Sequence, residues 1–93
     1  MKFIVPLASF ERCQKKLDPQ AKAKLKDALE KFNKFVVSGH PFKGLGFKKI
    51  NHDKYEFRVD IHLRVVVKVD QDICYLVLVG NHDEIRKYLK QYR

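Results

Sequence analysis

Tryptophan is absent, cysteine occurs twice, proline three times and glycine four times, so neither a disulfide framework nor a Gly/Pro-rich linker can be built from this chain. Cys13 and Cys74 stand far apart and cannot supply a four-thiolate zinc site; both are expected to be buried free thiols in a reducing compartment. Long apolar runs are missing too. The longest, 73–79, is strand-sized, far short of the roughly 20 residues that span a bilayer. Glu11 and Arg12 interrupt the apolar N-terminus before a secretory core forms, so no membrane association is expected and the expected location is cytoplasmic. HExxH, CxxC, GxxxxGK[ST] and GxSxG motifs do not occur. The adjacent pairs His52–Asp53 and His82–Asp83 point apart on a strand or loop, so no metal site and no cofactor is expected. Acidic residues are scarce: 11 Asp+Glu face 20 Lys+Arg, leaving a formal charge of +9 that draws anionic partners such as nucleic acid, anionic membrane or an acidic protein.

What is present suffices for one compact domain over residues 1–93. Hydrophobic residues make up 45% of the chain, with seven Phe and four Tyr to fill a core. Residues 2–5 are β-prone and stop at Pro6, as an edge strand does. Phe10, Cys13 and Leu17 recur at helical spacing over 7–17. Asp18–Pro19 then ends that helix and opens the next, with Asp as N-cap and Pro at the first helical position. Leu25, Ala28, Leu29, Phe32, Phe35 and Val36 form one apolar stripe, which Gly39 and Pro41 close. Residues 42–53 lack a period and are expected to form an ordered loop. Alternation over 55–59 and 63–69 and the apolar run 73–79 predict three strands. Asn81 and Glu84 form a capping box ahead of a last helix with Ile85, Tyr88, Leu89 and Tyr92 on its inner side. The order is β-α-α-β-β-β-α: an α+β fold in which a small, mainly antiparallel sheet carries an N-terminal helical hairpin and a C-terminal helix.

Parity sets the strand register. A three-residue turn 60–62 pairs Val59 with Leu63 and Arg58 with Arg64, and keeps polar and apolar faces separate. The same reasoning predicts a three-residue turn 70–72, with Val69 opposite Ile73 and Arg64 opposite Leu78. Arg58, His62, Arg64 and the start of the last helix then meet at one edge of the sheet. Two neighbouring arginines repel unless an anion lies between them, and their planar forks suit phosphate. The free N–H groups of a helix N-terminus add to that positive field. His82 sits in that first turn and can accept or relay a proton near neutral pH; it equally fits a simple exposed histidine. Tyr88 fits both a core position and a catalytic one. Lys43, Lys48 and Lys49, beside Phe42 and Phe47, suit a phosphate backbone, as they suit a solvated loop.

With this order in place, the stretches Phe42–Lys43–Gly44–Leu45–Gly46, Tyr55–Glu56–Phe57–Arg58–Val59, Leu63–Arg64–Val65–Val66–Val67 and Val79–Gly80–Asn81–His82 through Tyr88 resemble, in order and spacing, those of the RelE/ParE superfamily of type II toxin–antitoxin toxins. The resemblance runs from about Lys2 to Leu89. It implies the RelE-like fold and, in the RelE branch, metal-independent cleavage of mRNA in the ribosomal A site; in the ParE branch it implies inhibition of DNA gyrase without nuclease chemistry, and an inactive member of the family is the further alternative. By position, Arg64 matches the arginine on the scissile phosphate and Arg58 a basic residue ending the preceding strand. His82 falls where active relatives carry Arg or His, and Tyr88 matches a C-terminal catalytic tyrosine. Glu56 departs from a lysine of that pattern, and Val67 from a tyrosine. The resemblance also implies an acidic cognate antitoxin as partner, with the toxin monomeric when free and hetero-oligomeric when bound.

Overall fold

The longest helix begins where Asp18 and Pro19 allow it to. The Asp18 carboxylate accepts the Ala21 N–H at 2.7 Å, and the proline occupies the first turn, where no N–H partner is needed. The computed structural model describes residues 3–39 and 46–91. Its elements are β1 (Phe3–Pro6), α1 (Ala8–Lys15), α2 (Pro19–Ser38), β2 (Lys48–Asn51), β3 (Lys54–Arg58), β4 (Arg64–Asp70), β5 (Ile73–Gly80) and α3 (His82–Gln91). Gly39 ends α2 in the left-handed region, φ 75°, and its N–H donates to Phe35 O at 2.8 Å.

The five strands lie in the order β1-β5-β4-β3-β2; β1 runs parallel to β5 and the other pairings are antiparallel. Both faces of the sheet are covered. One packs Phe57, Val65, Val67, Cys74, Leu76 and Val79 against the apolar stripes of α1 and α2. There Phe32 stacks on Phe57 with centroids 4.4 Å apart, so truncating either ring would cost roughly 3–5 kcal/mol. On the other face, Val66, Val77 and Leu78 meet Ile85 of α3, with Tyr88 and Leu89 beside it. Toward its C-terminal end α3 reaches β2, where Leu89 and Lys90 line a cavity with Ile50, Asn51 and His52. Among the described residues no helix is long and apolar enough to cross a membrane.

The architecture is the expected α+β one, and three details differ. Residues 48–51, expected to be loop, are a fourth antiparallel strand on β3, so the order becomes β-α-α-β-β-β-β-α. A short edge strand is held by backbone hydrogen bonds and needs no apolar alternation, which is why Lys-Lys-Ile-Asn gave no signal. Second, the β4–β5 turn has two central residues. Asp70 pairs with Ile73 around Gln71, whose φ is 55°, and a bulge between Val66 and Val67 shifts the register so that Arg64 faces Gly80, not Leu78. Third, Cys74 is buried but Cys13 only half-buried. Burial pushes the Cys74 thiol up to about 12.

Candidate functional site

The turn joining β3 to β4 is fixed by one carboxylate. Asp60 accepts the N–H groups of His62 and Leu63, both at 2.7 Å, and its other oxygen meets Lys24 of α2 at 3.4 Å. The Leu63 N–H, then that of His62 and the Lys24 charge, hold the Asp60 carboxyl below its ordinary value against some desolvation. The His62 side chain stays exposed. Val59 N–H donates to Leu63 O at 2.9 Å. The next pair inward, Arg58 and Arg64, is therefore of the closer, non-hydrogen-bonded kind, with Cα atoms about 4.5 Å apart. Both arginines project from the face that α3 crosses.

Extending this register across the sheet gives one row. The β2–β3 pairing brings Gly46 alongside Arg58: a Cβ on Gly46 would lie 3.6 Å from Arg58 Cβ and 3.9 Å from its Nε. Arg64 faces Gly80 on β5. The row thus reads Gly46, Arg58, Arg64, Gly80, two guanidinium groups with a residue lacking a side chain on either flank. Gly80 leads into α3 through Asn81. The capping box forms as expected, Asn81 N–H to Glu84 Oε1 and Glu84 N–H to Asn81 Oδ1, each at 2.9 Å. Glu84 fills the space over Gly80, its Oε1 3.1 Å from where a Cβ would stand. His82, the first residue of α3, is exposed next to this row.

One row inward stand Lys48, Glu56, Val66 and Leu78. Glu56 is the buried charged residue among those described, and its Oε1 accepts Arg64 Nη1 at 3.1 Å and lies 3.4 Å from Lys48 Nζ. The anion expected between the arginines is therefore supplied in part by the chain itself, to Arg64 alone. Arg58 has no ion pair among the described residues. At the far end of the same face, Lys54 and Lys68 are also cross-strand partners, and Asp53 gives one oxygen to each, at 3.4 and 3.9 Å. There one carboxylate is shared by both cations, whereas of the two arginines only Arg64 is paired.

The structure brings together Arg58, Arg64, Lys48 and the N-terminus of α3. Tyr88 lies six residues beyond His82, about 9 Å along the helix axis, packed with the Val66 and Leu78 cluster. Lys49 pairs with Tyr55 and belongs to the face that α2 covers, away from the arginines. Lys43 lies outside the described residues. Sequence reasoning missed Glu56 as a partner of Arg64 and the glycines that flank the pair. The strand period alone placed Glu56 and Arg58 on one face, which is the signal that could have found the first. Among the described residues no group of three or more His, Cys, Asp or Glu side chains is placed to hold a metal ion.

No protein-family model and no curated protein sequence matches the chain. Solved structures do. A chain of the RelB–RelE antitoxin–toxin complex from Methanococcus jannaschii matches with a TM-score of 0.70 at 20% identity, over 90% of this chain and 96% of that one. A chain of the E. coli DinJ–YafQ complex gives 0.69 at 13% identity, over 91% and 98%. The YoeB/ParE toxin from Agrobacterium tumefaciens gives 0.63 at 19%, over 88% and 99%. The chain has the fold of the RelE/ParE toxins.

Proposed function

We propose that this chain is the toxin of a type II toxin–antitoxin pair and that it cleaves mRNA without a metal, in the ribosomal A site. The observation that carries this reading is the row Gly46, Arg58, Arg64, Gly80 ending at the first turn of α3: two cross-strand arginines, Arg58 leaning over Gly46 and free of any ion pair among the described residues, with Glu84 over Gly80 at the other end. In the proposed reaction a ribose 2′-OH attacks its own 3′ phosphorus. The P–O5′ bond breaks, leaving a 2′,3′-cyclic phosphate and a free 5′-OH. Arg58 and Arg64 stabilise the charge of the pentacoordinate phosphorus, and the ribosome supplies the in-line geometry. One proton leaves the 2′-OH and one reaches O5′; in this reading His82 carries one of them, and Tyr88 is the further candidate.

Loss of one transition-state donor worth about 3 kcal/mol slows a reaction by roughly two orders of magnitude. Arg58→Ala and Arg64→Ala are each expected to do so in single-turnover cleavage of mRNA on programmed ribosomes. An Arg64→Ala protein as toxic to growth and to mRNA as wild type would overturn the nuclease reading. The separation of His82 from Tyr88 along α3 favours a second reading, a gyrase-directed binder of the ParE type. Toxicity that persists in the His82→Ala/Tyr88→Phe double variant supports that alternative.

Either reading calls for an acidic antitoxin and a cytoplasmic site of action. Lys15, Lys22 and Lys26 rim a groove between α1 and α2 floored by Leu29, and the adjoining edge strand β1 leaves Phe3 60% exposed. That combination suits an acidic amphipathic segment or an added strand. A short acidic protein encoded beside this one, whose co-expression restores growth, is the expected finding.

A further inference from the structure

Glu56 carries a buried charge that the proposed reaction does not use. Its side chain is 8% exposed, that of Arg64 25% and that of Lys48 62%, so the carboxylate lies beneath both cations. One oxygen serves both, and the Arg64 fork spends a single N–H on it. The remaining Arg64 N–H groups have no partner among the described residues. A phosphate arriving from solvent meets Arg58 and the outer part of Arg64 first. Displacing Glu56 from below would orphan a buried carboxylate, which is costly. Asp53 shows the alternative arrangement: more exposed, it is shared between Lys54 and Lys68, one oxygen to each.

We infer that Glu56 is a positioning residue for Arg64, a fixed counter-ion that holds the guanidinium in one pose while its free edge takes the substrate phosphate. The inference rests on the nuclease reading of the same site. Removing the charge leaves Arg58, Arg64 and Lys48 as neighbouring cations with no ion-paired carboxylate among the described residues. They then attract RNA more strongly, and Arg64 is no longer aligned. Glu56 exchanges affinity for alignment.

The test compares wild type with Glu56→Gln, which keeps the shape and loses the charge, and Glu56→Asp, which keeps the charge and withdraws the oxygen by one methylene. Three measurements are made: binding of a short RNA whose scissile 2′-OH is replaced by hydrogen, the single-turnover cleavage rate at saturating protein, and the NMR signal of the Arg64 Nε–H, assigned with Arg64→Lys. Glu56→Gln is expected to bind the RNA several-fold tighter and to cleave at least tenfold more slowly, with the Arg64 signal moving to the position of a free arginine. Glu56→Asp is expected to lose cleavage without the gain in affinity. A purely structural role would lower the folded yield and leave the cleavage rate of the folded fraction unchanged, and that result overturns the inference. Faster cleavage together with tighter binding overturns it as well, because Glu56 is then a competing anion. If wild type cleaves no mRNA on ribosomes, the nuclease reading falls; the Arg64 signal then decides the positioning claim, which an unchanged signal in Glu56→Gln refutes.

Discussion

Asp60 shows how one side chain governs the site from outside it. By accepting two N–H groups of its own turn it closes the β3–β4 connection next to the Arg58–Arg64 pair. Its carboxyl titrates below the usual value in the folded chain. Asp60 therefore contributes stability that is present above the unfolded value near pH 4 and is lost as pH falls through the lower, folded value. Thermal melts should show wild type above Asp60→Asn at pH 6, with the gap closing as pH drops below about 4; a gap independent of pH would count against this account. At this scale much of the site was legible. The pairing of Arg58 with Arg64 and the reciprocal bonds of Asn81 and Glu84 follow from parity and capping rules applied to those residues. The Glu56–Arg64 contact was not: a strand period fixes which face a side chain occupies, while which oxygen it meets depends on rotamers and depth.

Among the elements, α2 was the most readable, because an apolar stripe and both of its ends are written in residue types with one physical meaning each. β2 was not, since an edge strand draws on backbone bonding to a neighbour that no local pattern encodes. The turn between β4 and β5 failed for another reason. With 73–79 apolar throughout, every register looks equally good, and the bulge at Val66/Val67 changes parity midway. Gln71 at positive φ also gives none of the Gly or Asn signals that mark such a turn. Left-handed backbone costs an ordinary residue about 1 kcal/mol, and Asn tolerates it better. Gln71→Asn is therefore expected to raise stability in urea unfolding by roughly 0.5 kcal/mol with no change at the arginine row; a loss of stability would show that the Gln71 side chain is needed there.

Across the whole molecule, the cations that the strands contribute to the charge of +9 are divided between the two faces of one sheet. Arg58, Arg64 and Lys48 share the face that α3 crosses, whereas Lys49 belongs to the other. Salt titrations of RNA binding read this directly, because each cation in contact with a single strand contributes about 0.7 to the slope of log K against log salt. Lys48→Ala and Arg58→Ala should each flatten the slope by about that amount and Lys49→Ala should leave it unaltered; equal effects of Lys48 and Lys49 would contradict the assignment of faces. The parallel pairing of β1 with β5 has a consequence for synthesis. Phe3 finds its partner at Ile73, and Arg64 finds its own at Gly80. At some 5–20 residues per second, a nascent polypeptide emerges for seconds before either partner exists. The arginine row therefore stays incomplete while most of the chain is being translated, and a product released prematurely before β5 lacks its Gly80 end and the helix that follows.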